Sequence, residues 1–179
     1  VSRLRLAVAL GGALACVAAP AGARVLEATA TGFQVQHESD VQAAAAIVWR
    51  ALLDVGAWWS PDHTYSGQAR NLSLDARPGG CFCERLAHRG GVEHLRVVHV
   101  APLSTLRLSG ALGPLQASGL AGSLSFTLEA RANGGTHVTL AYSVGGFMSG
   151  GLERMAPAVD AMLGEQFARL CRLLEPAAP

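Results

Sequence analysis

A dense group of side chains that could do chemistry falls between Trp58 and Leu86, in WWSPDHTYSGQARNLSLDARPGGCFCERL. The interval holds two adjacent tryptophans, an Asp62-His63 pair, Tyr65, Cys81, Cys83 and Glu84. A carboxylate beside an imidazole suits a metal pair, or a general base with its orienting partner. A metal site needs more ligands than this. No other histidine stands at helical or strand spacing to complete a set, and a Cys-x-Cys without a second pair is a poor zinc motif. The expectation is no metal and no cofactor. An exposed loop pair that caps backbone amides is the competing reading of Asp62-His63.

Glu84 belongs to a period-two run, CFCERLA, in which Phe82, Glu84 and Leu86 share one face and Cys81, Cys83 and Arg85 the other. The apolar Phe82 selects the inward face and carries Glu84 with it, while the two cysteines turn away. The next run, VEHLRVVHV, pairs with it through a HRGG turn. There Leu95 and Val97 compete with Val98 and Val100 for the inside, which leaves His94 open between inward and outward. An inward Glu84 paired with His94 or Arg96 would anchor a ligand oxygen or act as a modest acid/base device, or one ion pair would merely satisfy itself.

Around this polar pair the candidate lining is aromatic and apolar: Trp59 and Tyr65 on the loop broken by Pro61, Phe82 on its strand, Phe126 and Tyr142 on a later hairpin, and Met155 and Phe167 on the last helix. Trp58 and Trp59 are adjacent, so a regular element turns only one of them inward, and Trp59 is placed at the mouth of a cavity with His63 on its polar rim.

Composition removes several function classes. The 14 basic residues among 179 are all arginine, which excludes a lysine Schiff base and a P-loop lysine. Without Arg3 and Arg5, 12 arginines face 13 acids, a balance with no electrostatic footprint for nucleic acid. Arg3, Arg5, the apolar LAVALGGALACVAAPAGA and Ala21-Gly22-Ala23 have the pattern of a signal peptide over 1–23, with cleavage near Ala23 and no membrane span in the mature chain. Cys16 in ALAC offers lipidation as the lesser option. Export, periplasmic or secreted, places Cys81, Cys83 and Cys171 where disulfides persist, with their pairing open. The Arg-only, Ala- and Gly-rich usage suits a GC-rich bacterial genome.

The elements that must position these residues follow from periodicity. After a linker at 24–30, GFQVQHESDV is a strand, with Ser39-Asp40 as N-cap candidates for a short helix over VQAAAAIVWRALLD. Six runs of alternating residues follow, the last two joined at Ala132-Asn133-Gly134-Gly135, a hairpin turn. Leu152 to Leu174 is one long helix with Pro157 in its first turns, and 176–179 is a tail.

The helix ending in VGAWWSP, the strand entry RPGGCFCERL, VVHVAPLSTLRL and the closing Gly-Gly-Thr hairpin, in this order, resemble the START-like or Bet v 1-like helix-grip superfamily, SRPBCC, with its polyketide cyclase and Hsp90-activator-like proteins. The resemblance covers about Thr31 to Leu174 within a domain at 31–175. It implies an α+β fold: a curved antiparallel sheet of about seven strands wrapped round the C-terminal helix, with a cavity between them for a small apolar or amphipathic ligand. The fold hosts several functions. Binding or carriage is the first expectation, and a cyclase- or dehydratase-like enzyme using His63 or Glu84 is the second. A cochaperone-like module is the third, opposed by export.

Overall fold

A computed structural model describes residues 24–175. Residues 1–23, where a signal peptide was expected and where Cys16 lies, and residues 176–179 fall outside the described residues.

Eight strands form one antiparallel sheet: β1 (Arg24–Thr29), β2 (Gly32–Val41), β3 (Leu72–Leu74), β4 (Cys81–Arg85), β5 (Gly91–Ala101), β6 (Thr105–Ser109), β7 (Ala121–Ala130) and β8 (Thr136–Gly145). Their order across the sheet is β1-β2-β8-β7-β6-β5-β4-β3. Between β2 and β3 lie α1 (Ala45–Leu53) and the one-turn α2 (Val55–Trp58), and α3 (Ala156–Leu173) closes the domain. Strand β8 shows the rule at its plainest, with Val138, Leu140, Tyr142 and Val144 buried and alternate residues half-exposed, because one sheet face packs on the core. α3 lies along that face and buries Val159, Leu163, Phe167 and Leu170. No helix among the described residues is long and apolar enough to cross a membrane.

Three boundaries differ from the sequence reading. The stretch assigned as a linker, 24–30, is strand β1, which makes eight strands where about seven were expected. It is an edge strand, bulged between Val25 and Glu27, whose residues from Val25 on are exposed, so it shows no alternating burial; its backbone pairing with β2 holds it. Ser39 and Asp40 do not cap a helix, because β2 continues to Val41 and α1 is capped by Ala44, without a side-chain bond. The Asp40 carboxylate instead accepts from His137 at 2.9 Å and Arg131 at 3.1 Å, on and beside the neighbouring strand. α3 starts at Ala156, four residues later than periodicity implied, with Pro157 in its first turn where the missing N–H costs least.

Cys81 and Cys83 form a disulfide on β4, and among the described residues Cys171 is free. Their Cα atoms are 5.4 Å apart, within the usual span for a bridge. Among the described residues no group of His, Cys, Asp and Glu is placed to hold a metal ion.

Candidate functional site

A cavity of about 440 Å³ opens between α3, the loop after α2 and the segment between β6 and β7. α3 contributes Ala158, Val159 and Met162, and Met155 caps its start; the loop contributes Trp59, Asp62, His63, Thr64 and Tyr65. Leu112, Pro114 and Leu115 form a third wall, and His94 comes from β5.

His94 is there because of a β-bulge. Phe82 pairs with Leu95 and Cys83 with Glu93, so His94 is the extra residue that faces no partner. A bulge breaks the alternation and sends two consecutive side chains inward. His94 and Leu95 are accordingly both buried, at 7% and 1% exposure. This is why counting alternate residues could not settle His94.

Behind His94 lies Glu84, 1% exposed, whose carboxylate accepts from His94 Nε2 at 3.0 Å and from the backbone N–H of Tyr65 at 3.1 Å. The Ser66 N–H donates to its other oxygen. One carboxylate thus orients an imidazole and ties down the loop that forms the cavity mouth. Burial alone would raise the Glu84 pKa, but the donors from Ser66, Tyr65 and His94 together outweigh it, and the group stays below its usual range and ionised. Burial lowers the His94 pKa, and the nearby Glu84 charge offsets this only in part. The resting pair is a carboxylate and a neutral imidazole with Nε2–H directed at Glu84. Nδ1 is then a lone-pair acceptor on a residue that lines the cavity, and it makes no hydrogen bond to the described residues.

Both tryptophans are buried, Trp58 at 3% and Trp59 at 5%, contrary to the expectation that only one turns inward. α2 ends at Trp58 and Trp59 has extended φ/ψ of −65° and 140°, so the chain changes direction between them. Trp58 meets Phe126 edge-on at 6.4 Å, and Trp59 meets Phe82 at 5.2 Å. Trp59 also donates from Nε1 to the His63 carbonyl at 3.0 Å, and the next residue, Ser60, donates its N–H to the buried Gln166 side chain at 2.7 Å. His63 sits on the rim with Nε2 3.1 Å from Glu165, spanning loop and α3.

Of the residues expected to line a cavity, Trp59, His63, Tyr65, His94 and Met155 do so. Phe82, Glu84, Phe126, Tyr142 and Phe167 do not. Phe82 lies under Trp59 and His94, Glu84 is screened by His94, and Phe126 is capped by Trp58. Tyr142 is fully buried, accepts from Leu112 N–H at 2.9 Å and donates to the Gly110 carbonyl, its pKa pushed up to about 12 by burial. It therefore holds the segment carrying Leu112 and Leu115. Phe167 faces β2, 6.1 Å from the His37 ring. At 3.6 residues per turn Phe167 is roughly 120° round α3 from Met155, whereas Met162, seven residues on, is nearly in line. That spacing was the available signal for Met162. Nothing local marked Leu112, Pro114 and Leu115.

No family model and no curated protein matches the chain by sequence. Solved structures do match it by shape. CalU16 from Micromonospora echinospora superposes with a TM-score of 0.54 at 16% identity, over 81% of this chain and 78% of that one. Ara h 8.0201 gives 0.54 at 13% identity, over 80% and 97%. The chain has the helix-grip fold. DynU16, from the dynemicin biosynthetic locus, gives 0.55 at 21% identity, over 82% of this chain and 48% of that one. At such identities the shared property of these helix-grip proteins is architecture, and the cavity's chemistry is this chain's own.

Proposed function

We propose that the protein binds a small apolar or amphipathic molecule in this cavity and does so outside the cytoplasm, as a binder or carrier. The observation that carries the reading is the cavity itself: aliphatic and aromatic walls with a few polar groups at the mouth and one imidazole within, the make-up of a small-molecule site. The export part rests on the sequence pattern of 1–23. Native mass spectrometry of protein from its own host, with extraction of any bound compound, tests the first part; intact mass tests cleavage near Ala23. Ala158, exposed on α3 at the cavity edge, supplies the control. Ala158→Trp should abolish ligand retention while changing stability by less than about 0.5 kcal/mol, as surface changes do. Retention unchanged by this substitution would place the ligand elsewhere.

One observation favours a second reading, a cyclase- or dehydratase-like enzyme. The His94–Glu84 pair has the geometry of a base with its orienter. His63 and Glu84 suit the base role less, since His63 is on the rim against Glu165 and Glu84 is already engaged by three donors. In this reading His94 is the base. Recovery of the extracted compound chemically changed after incubation separates it from carriage.

A further inference from the structure

We infer that His94 makes the cavity selective for ligands that carry a hydroxyl or other hydrogen-bond donor on an otherwise apolar, aromatic body. The inference rests on the proposed binding function and names the ligand class that the cavity takes. His94 Nε2 is committed to the ionised Glu84 at 3.0 Å, so the proton resides on that side and Nδ1 presents a lone pair. Glu84 cannot easily turn away, because the Tyr65 and Ser66 backbone donors hold both of its oxygens. The ring is fixed as well: it lies 5.0 Å from Phe82 and 5.9 Å from Tyr65, tilted by 33° and 32°. The tautomer and the orientation of the acceptor are therefore set before any ligand arrives.

The surroundings give that acceptor its selectivity. The aliphatic walls from α3 and the Leu112–Leu115 segment have no polar side chain to offer it, Trp59 Nε1–H is spent on the His63 carbonyl, and the Thr64 hydroxyl on the Pro61 carbonyl. A purely apolar ligand would strip water from Nδ1 and return nothing, whereas a phenol-like hydroxyl replaces the lost hydrogen bond. Sites built to bond a hydroxyl reject analogues lacking it much more strongly than apolar pockets reject a change of shape. Trp59 and Tyr65, which line the same cavity, offer flat surfaces that suit a planar ligand body.

The test uses full-length protein and two probes of similar shape, 2-naphthol and 2-methylnaphthalene, with affinities measured by equilibrium dialysis. The ratio of the methylnaphthalene Kd to the naphthol Kd should be at least about tenfold larger in the native protein than in His94→Phe, because the variant removes the acceptor and keeps the ring. An unchanged ratio overturns the inference while leaving the binding function standing. Failure of the native protein to bind either probe counts against the binding function and the inference together. A measurement independent of the variant's folding is the ¹⁵N resonance of His94 Nδ1 in the native protein. It should move on adding 2-naphthol and stay put with 2-methylnaphthalene; equal shifts, or none, overturn the inference.

Discussion

Glu84 and His94 are 3.0 Å apart on adjacent strands, joined only because the bulge in β5 turns His94 to the side of the sheet that Glu84 already faces. A regular ladder would have put one of them outside. The same carboxylate holds the cavity mouth through the Tyr65 and Ser66 amides, so orientation of the imidazole and order in the loop are coupled in one residue.

Glu84→Ala should therefore be among the costliest polar substitutions. It strands two backbone donors and the His94 N–H in a buried setting, each worth on the order of 1–3 kcal/mol when unsatisfied, for a net loss of about 3 kcal/mol with partial relaxation. Urea denaturation measures it. A loss under about 1 kcal/mol would show that water takes over all three contacts. Glu84→Gln, which keeps an acceptor oxygen, should lose less.

Trp59→Ala removes a side chain that is 5% exposed and packed edge-on against Phe82, so the cavity lining and the core share it. The expected cost is about 3–5 kcal/mol, the range for a core aromatic. Trp59 at the mouth alone would predict a binding defect with little loss of stability. Thermal unfolding beside probe binding tells the two apart.

Stability should depend on pH in two stages. Burial holds the His37 and His94 pKa values below their ordinary 6.5, with Asp160 and Glu84 offsetting this in part. Above about pH 6.5 both folded and unfolded histidines are neutral and stability is level; below it the unfolded chain takes up protons that the folded chain refuses, and stability falls. Glu84, held below its ordinary 4.5, contributes stability that is present above that value and is lost as pH drops through its lowered folded pKa. Denaturation midpoints from about pH 8 down to about pH 4 check the sign. A midpoint that rises on acidification from about pH 6.5 would contradict it.

Gly164→Ala sets two effects against each other. Alanine improves helix propensity by roughly 1 kcal/mol, but its Cβ would lie 2.9 Å from the buried His37 ring carbon Cε1. His37 Nε2 lies 3.1 Å from Asp160, on the same helix as Gly164, and the ring is buried, which leaves it little room to move aside. Overpacking of this kind costs about 1–3 kcal/mol, so the net effect is destabilisation. A stabilised variant in calorimetry would show that α3 can lift off β2 freely.

The disulfide gives a chemical test. A proteolytic peptide containing Cys81 and Cys83 should resist alkylation until reductant is added. Cys171, half-buried with its thiol pKa raised by burial, should react slowly in the folded protein and quickly once denatured. Since both bridged cysteines lie off the cavity lining, a Cys83→Ser variant should bind the naphthol probe as the native protein does.

The α+β class, most strands and the C-terminal helix could be read from the chain because hydrophobic period and turn chemistry are local: Val138 to Val144 alternate whatever they pack against, and Asn133-Gly134 turns the chain by its own backbone preferences. The inward Phe82 and Glu84 followed from the same alternation. What escaped were features with no local period. β1 is held by backbone pairing at an edge. Tyr142 reaches across to Leu112, and Leu112 and Leu115 become cavity wall only when that contact folds their segment over the sheet. The adjacent tryptophans both bury because α2 ends between them. His94 was undecidable for the strongest reason: a bulge is a property of two strands in register, and the register of β5 against β4 comes from tertiary pairing. The chain by itself determined the fold and placed a carboxylate inside it; only the folded sheet decided which imidazole that carboxylate would hold toward the cavity.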